Sequence, residues 1–250
     1  MQQAKLAAAR AAARLIAEKL GGVERLGVGT GSTTRLTLQA LLEEERDALR
    51  GKRLYASSLD TLLALRSMGL EASLTLPPGG LDLYFDGADE VSFEANTCMV
   101  IKGRGAAMTR EKLLAYNSRH VVIVVDESKV SERIGEKRKP LPVEVLPDAL
   151  ASVLEALRAY GLRAEPRNGC GCRDGPAVTD NGGVVIDVWG VERLGLLRLE
   201  SIIDSIPGVI GHGAFAGYVD EIVVGSASGS EVRRCRRTRI NPALRLGWRG

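Results

Sequence analysis

Apolar and polar positions in the first half of the chain change rhythm repeatedly, and each change marks an element. The alanine-rich stretch 4–20, interrupted by Arg10, Arg14 and Glu18, predicts a helix. A short strand over 24–28 runs into the Gly-rich GVGTGSTT, followed by a long amphipathic helix over 33–50. A strand at 52–56 precedes SSLDTLLALRSMG, where Ser57 or Ser58 can cap a helix that ends at Gly69. Residues 81–85 form a strand, about 106–118 a helix, and HVVIVVDES a buried strand. Strand and helix in alternation imply a parallel sheet covered on both faces. Ligands of such sheets bind at the strands' carboxyl ends. That edge gathers the Gly-rich loop, the acidic DGADE and VVDESKV.

From Pro140 the pattern changes. PLPVEVLP is a strand, 148–160 a capped helix and 162–166 a strand. After the cysteine loop come the strand GGVVIDVW, a helix over 196–205 and a strand near 209–215. This is β-α-β-β-α-β, the ferredoxin-like order. DEIVVGSASG at 220–229 returns as a strand of the first sheet. The expected class is α/β: residues 1–131 and 206–230 form a larger domain, 132–205 an inserted ferredoxin-like α+β domain, and 231–250 a basic tail.

Composition changes this picture little: 45% hydrophobic and 26% charged residues are ordinary for a soluble globular chain. The aliphatic run 121–125 is far short of the roughly 20 residues of a membrane span. The N-terminus has no signal-peptide core, so a cytoplasmic protein without membrane partners is expected. Charge adds more. The chain carries +3, but residues 231–250 hold seven Arg against one Glu, so the body is mildly acidic. Without regular aromatic interleaving, this tail predicts a solvated, poorly ordered extension and not a nucleic-acid arm. Cys170 and Cys172 form one C-x-C with no second Cys or His pair at metal spacing, which argues against zinc. Free thiols are expected for the four cysteines, with a disulfide or redox-sensitive loop as the alternative.

GVGTGST lies between a strand and a helix, where backbone N–H groups cradle anions. It lacks the spacing of a dinucleotide or Walker loop, so it fits a structural turn or a sugar phosphate held by Thr30, Ser32 and Thr33. In IKGRGAAMTREKLLA, Lys102 and Glu111 are either a surface charge and a dipole-favoured carboxylate, or an oxyanion stabiliser and a base. Asp86 and Asp89, separated by two residues in DGADE, suit sugar hydroxyls, a divalent cation or a solvated turn. With only His120 and His212, an imidazole-rich metal site cannot form.

GVGTGST, DLYFDGADEV, IKGRGAAMTREKLLA, VVDESKV, PLPVEVLP, AVTDNGGVVIDV and IPGVIGHGAFAG fall in this order. Together they resemble the type A ribose-5-phosphate isomerase family over roughly residues 4–230. The resemblance implies a Rossmann-like domain bearing a ferredoxin-like insert. It implies an aldose–ketose isomerase that interconverts ribose 5-phosphate and ribulose 5-phosphate through an enediolate, in the non-oxidative pentose phosphate pathway. No metal and no cofactor are implied, and the partners are the sugar phosphate and further copies in a homodimer or homotetramer. By the same resemblance Glu111 is the general base. Lys102 and the loop Gly103, Arg104 and Gly105 hold the substrate and stabilise the enediolate. Asp86 and Asp89, with Gly87 and Ala88 between them, bind sugar hydroxyls and assist ring opening. Thr30, Gly31, Ser32 and Thr33 line the substrate loop, and Lys129 and Lys5 reach the phosphate.

Two features depart from the family pattern. Arg104 replaces a glycine and would be strained if that position needs φ > 0. The Arg-rich tail has no counterpart. Rival functions are a catalytically silent sugar-phosphate sensor on this fold, and a related deaminase or CoA-transferase.

Overall fold

The structure is a computed structural model that describes residues 2–94, 97–169 and 174–246, with side chains to residue 244. Cys170 and Cys172, on which the redox-loop alternative rests, lie outside these residues. The strands in chain order are β1 (Arg25–Val28), β2 (Arg53–Ala56), β3 (Ala72–Ser73), β4 (Leu81–Gly87), β5 (Glu90–Glu94), β6 (Thr97–Ile101), β7 (Ser118–Asp126), β8 (Leu141–Val145), β9 (Arg163–Pro166), β10 (Val184–Trp189), β11 (Val209–His212), β12 (Glu221–Gly225) and β13 (Ser230–Arg234). The helices are α1 (Gln2–Lys19), α2 (Ser32–Arg50), α3 (Leu59–Ser67), α4 (Met108–Tyr116), α5 (Leu150–Ala159), α6 (Val191–Leu194), α7 (Leu196–Asp204) and α8 (Pro242–Leu246).

The alternating first half, joined by β12 and β13 from the returning chain, builds a seven-stranded sheet in the order β13-β12-β7-β4-β1-β2-β3, parallel except for β13. Successive residues of a strand face opposite sides, and both sides are filled. Leu83, Phe85, Val122 and Val124 pack beneath α1 and α2, while Tyr84, Val121, Ile123 and Val125 pack on the side of α4. Full burial of such side chains stabilises by roughly 1.5–3 kcal/mol each. Helix α1 turns Arg10, Arg14 and Glu18 to solvent and buries Ala4, Ala8, Ala12 and Ile16. Ser58 caps α3, accepting from the Thr61 N–H.

The insert is a four-stranded antiparallel sheet in the order β11-β8-β10-β9, carrying α5 and α7 over its own core. Its closing strand β11 lies beyond residue 205. The helix expected over 148–160 opens as a 3-10 turn, Pro147–Ala149, and neither that turn nor α5 has a side-chain cap. A hairpin of β5 and β6, not foreseen, joins the two domains at the sheet's carboxyl edge.

Residues 231–244 do not form the loose extension expected of them. Residues 230–234 pair antiparallel with β12. Arg237 donates to Asp220 and to the Ala115 carbonyl in the last turn of α4. Arg239 pairs with buried Glu200, and Leu244 is buried. The expectation of free thiols also fails at one pair: Cys98 and Cys235 form a disulfide that ties this segment to β6. Arginine side chains here carry hydrogen bonds and stacking as well as charge, which net charge alone does not reveal.

Candidate active site

A cavity of about 310 Å³ opens at the carboxyl edge of the large sheet. After β1 the chain passes Thr30 and Gly31 and enters α2, so Thr30 to Thr33 present the helix N-terminus to the cavity. After β4 come Gly87, Ala88 and Asp89; after β6, Lys102 and the loop Gly103, Arg104 and Gly105. Glu111 enters from the first turn of α4, Lys129 from the 3-10 turn after β7, and Lys5 from α1. All the predicted site residues except Asp86 therefore share one wall.

Asp86 sits behind that wall, fully buried. Its Oδ1 accepts from the Thr30 and Gly87 N–H groups at 3.1 and 2.7 Å and from the Thr34 hydroxyl at 3.2 Å. Its Oδ2 accepts a short bond from the Tyr84 hydroxyl and holds the Lys102 ammonium at 2.7 Å. Asp86 therefore lies behind the cavity wall and not on it, its oxygens on Lys102, Tyr84 and the β1–α2 loop. Gly29 makes room for it, since a Cβ there would meet the Asp86 carboxyl at 2.0 Å.

Lys102 is 2% exposed and lies between two carboxylates, Asp86 and Glu111, in direct contact with both. Burial alone would lower its pKa, but the two anions outweigh it and hold the ammonium above its usual range. Burial pushes the Glu111 carboxyl up to about 8, against the pull of Lys102 and with a further push from Asp86. Burial also raises the Tyr84 phenol, and Asp86 adds to it. Two buried carboxylates sharing one cation leave Glu111 as a strong base with an acid beside it. That is the equipment for moving a proton at carbon.

The substrate loop differs from expectation in one detail. Arg104 does not take a left-handed conformation; two positions on, Ala106 does, at φ 60°. Gly103, at φ +100°, absorbs the turn, so Arg104 is exposed without that strain. The Arg104 N–H donates to Asp89 Oδ2 at 3.1 Å, which ties the acidic motif to the loop.

Several residues near the site escaped the sequence reading. Tyr84 carried a usable signal, because it lies two positions before Asp86 on the same face of β4. Lys139, whose ammonium donates to the Asp89 carbonyl at 3.0 Å, has its pKa lowered by burial and by neighbouring Lys129. Nothing in the sequence pointed to it. The remaining place where a metal could gather among the described residues is Glu200, Asp204 and His212. There Lys112 and Arg239 already pair with Glu200, and Asp204 pairs with His212.

Residues 53–229 match the family model described as ribose 5-phosphate isomerase A (phosphoriboisomerase A). Ribose-5-phosphate isomerase A of Methanocaldococcus jannaschii is 38% identical over 228 residues, covering 90% of this chain and 95% of the relative. The Thermococcus kodakarensis protein of the same name is 36% identical over 241 residues, covering 95% and 99%. The solved ribose 5-phosphate isomerase A from M. jannaschii superposes with a TM-score of 0.83 over 93% of this chain and 99% of that one, at 36% identity. A D-ribose-5-phosphate isomerase in complex with phospho-erythronic acid superposes at 0.78 over 93% and 98%, at 32% identity. The chain belongs to the ribose 5-phosphate isomerase A family, whose enzymes interconvert ribose 5-phosphate and ribulose 5-phosphate in the pentose phosphate pathway.

Proposed function

We propose that Glu111 is the base of this isomerisation and that Lys102 stabilises the charge it creates. Glu111 removes the C2 proton of open-chain ribose 5-phosphate, and the electron pair moves onto the C1 carbonyl oxygen to give an enediolate. Lys102 faces that oxygen, a proton passes from O2 to O1, and Glu111 returns its proton to C1, giving the ketose. Asp89 and the backbone of Gly87 and Ala88 hold sugar hydroxyls and assist ring opening. The N-terminus of α2 at Thr30–Thr33, with Lys5 and Lys129, holds the phosphate dianion. The similar enzyme in complex with phospho-erythronic acid supports a phosphorylated sugar-like occupant.

The observation that carries this reading is the buried Lys102 ammonium between Asp86 and Glu111, on the wall of a cavity shared with Lys5 and Lys129. Both Asp86 oxygens are already engaged by protein donors and Lys102, which supports a reaction that uses no metal ion. The same reading makes the enzyme cytoplasmic and a homodimer or homotetramer. Glu111→Gln should lower kcat by about 10²–10⁴-fold with KM within a few-fold, and should stop exchange of the C2 proton with solvent. Turnover and exchange within a few-fold of the parent would move the base elsewhere.

A further inference from the structure

The loop that carries Lys102 toward Glu111 is flanked by glycines, yet it is held from outside the cavity. Arg167 follows β9 in the inserted domain and is absent from the cavity wall. Its fork grips Asp187 of β10, with Nε on Oδ2 at 3.0 Å and Nη2 on Oδ1 at 2.5 Å. Its remaining nitrogen, Nη1, donates to two loop carbonyls, Arg104 O at 2.9 Å and Gly103 O at 3.3 Å. The Arg167 backbone is pinned as well: its N–H donates to Val185 O at 2.8 Å and its carbonyl accepts from Ala177 at 2.7 Å. With both the arginine and its aspartate mostly shielded from water, these charge-assisted bonds are stronger than neutral ones.

The direction of those carbonyls matters because C=O and N–H of a trans peptide point opposite ways. The peptide joining Gly103 and Arg104 shows it: its carbonyl meets Arg167 while its N–H meets Asp89, which lines the cavity. The peptide joining Arg104 and Gly105 has its carbonyl on Arg167 too, so the N–H of Gly105, which lines the cavity, points away from Arg167.

We propose that Arg167, fixed by Asp187, is a positioning residue for the isomerisation: it turns the Gly103 and Arg104 carbonyls outward and so aims the next backbone N–H at the substrate oxygens. The inserted domain then acts as a brace on the loop between Lys102 and Glu111. A donor aimed where negative charge develops is worth more in the transition state than in the ground state. The inference rests on the enediolate reading above, and its test separates the two.

Arg167→Ala should lower kcat by about 10²-fold, the size of losing one such donor, with KM within about threefold. Arg167→Lys should fare nearly as badly, because an ammonium cannot hold the carboxylate bidentately and reach two carbonyls. Guanidinium ion, added to Arg167→Ala at a low non-denaturing concentration, should restore part of kcat and do nothing for Glu111→Gln. Asp187→Asn, a milder change, should lower kcat several-fold without altering the loop's own residues. The proposal is overturned if Arg167→Ala keeps kcat within threefold, loses only thermal stability, or folds and shows no guanidinium recovery. Should Arg167→Ala fail to fold, an Asp187→Asn enzyme with parental kcat overturns it. If instead Glu111→Gln is fully active, it is the base assignment that fails.

Discussion

Glu111 and Lys112 are neighbours on α4, about 100° apart around the helix, and each enters a cluster of charges. Around Glu111 two carboxylates share one ammonium. Around Lys112 the carboxylates of Glu200 and Asp204 are matched by Lys112 itself and Arg239, with His212 between them. One ring, Phe215, lies 5.4 Å from both ammoniums. The first cluster opens on the cavity and is short of positive charge, so burial drives Glu111 up to about 8. The second is balanced and turned away from the cavity. Burial lowers Lys112 to about 8 against the pull of Glu200 and Asp204, and it lowers His212 against Asp204. The difference separates chemistry from assembly. An unbalanced cluster beside a cavity keeps a base; a balanced one joins α7 and β11 of the insert, α4 of the large domain and the C-terminal segment.

Breaking the second cluster should cost stability before it costs chemistry. The largest effect is expected from truncation after Gly229, which removes β13, the Cys98–Cys235 bridge, Arg237 and Arg239. Loss of a native disulfide alone typically destabilises by about 2–5 kcal/mol, so the thermal midpoint should fall on the order of 10 °C. A midpoint within 2–3 °C of the parent would return this segment to the status of a loose tail. A smaller effect is expected of Glu200→Gln, which leaves Lys112 and Arg239 in excess. The urea midpoint should shift by about 1–3 kcal/mol in stability, with kcat within a few-fold. A steep loss of kcat at unchanged stability would merge the two clusters into one catalytic unit.

The first of these clusters was far more legible in the sequence than the second. Strand, Gly-rich loop and helix in alternation place Thr30, Asp89 and Lys129 at one sheet edge, and the cavity lies there. What the motif could not reveal was the depth of Asp86. Its neighbours in sequence suit an exposed turn, and only the register of β4 beside β1 carries it under Gly29. The second cluster joins residues 112, 200, 212 and 239, whose separations carry no periodic signal. The same holds for Cys98 and Cys235, 137 residues apart. All five residues of β13 are exposed, so the segment lacked the alternation that marks a half-buried strand. Arg167 followed the same logic, since a lone arginine beside a cysteine loop has no pattern around it.

The central claim, that an unbalanced buried cluster makes Glu111 the base, is tested most directly by kcat/KM against pH. Glu111 accepts a proton only when ionised, so kcat/KM should rise with pH through a limb near 8. This limb is distinct from the substrate phosphate's second ionisation at about 6. Because Lys112 is also lowered to about 8, the profile is compared in two variants. The account predicts that the limb persists in Lys112→Met and moves to lower pH in Asp86→Asn, which removes a carboxylate that pushes Glu111 up. A limb that vanishes in Lys112→Met, or stays in place in Asp86→Asn, would contradict it.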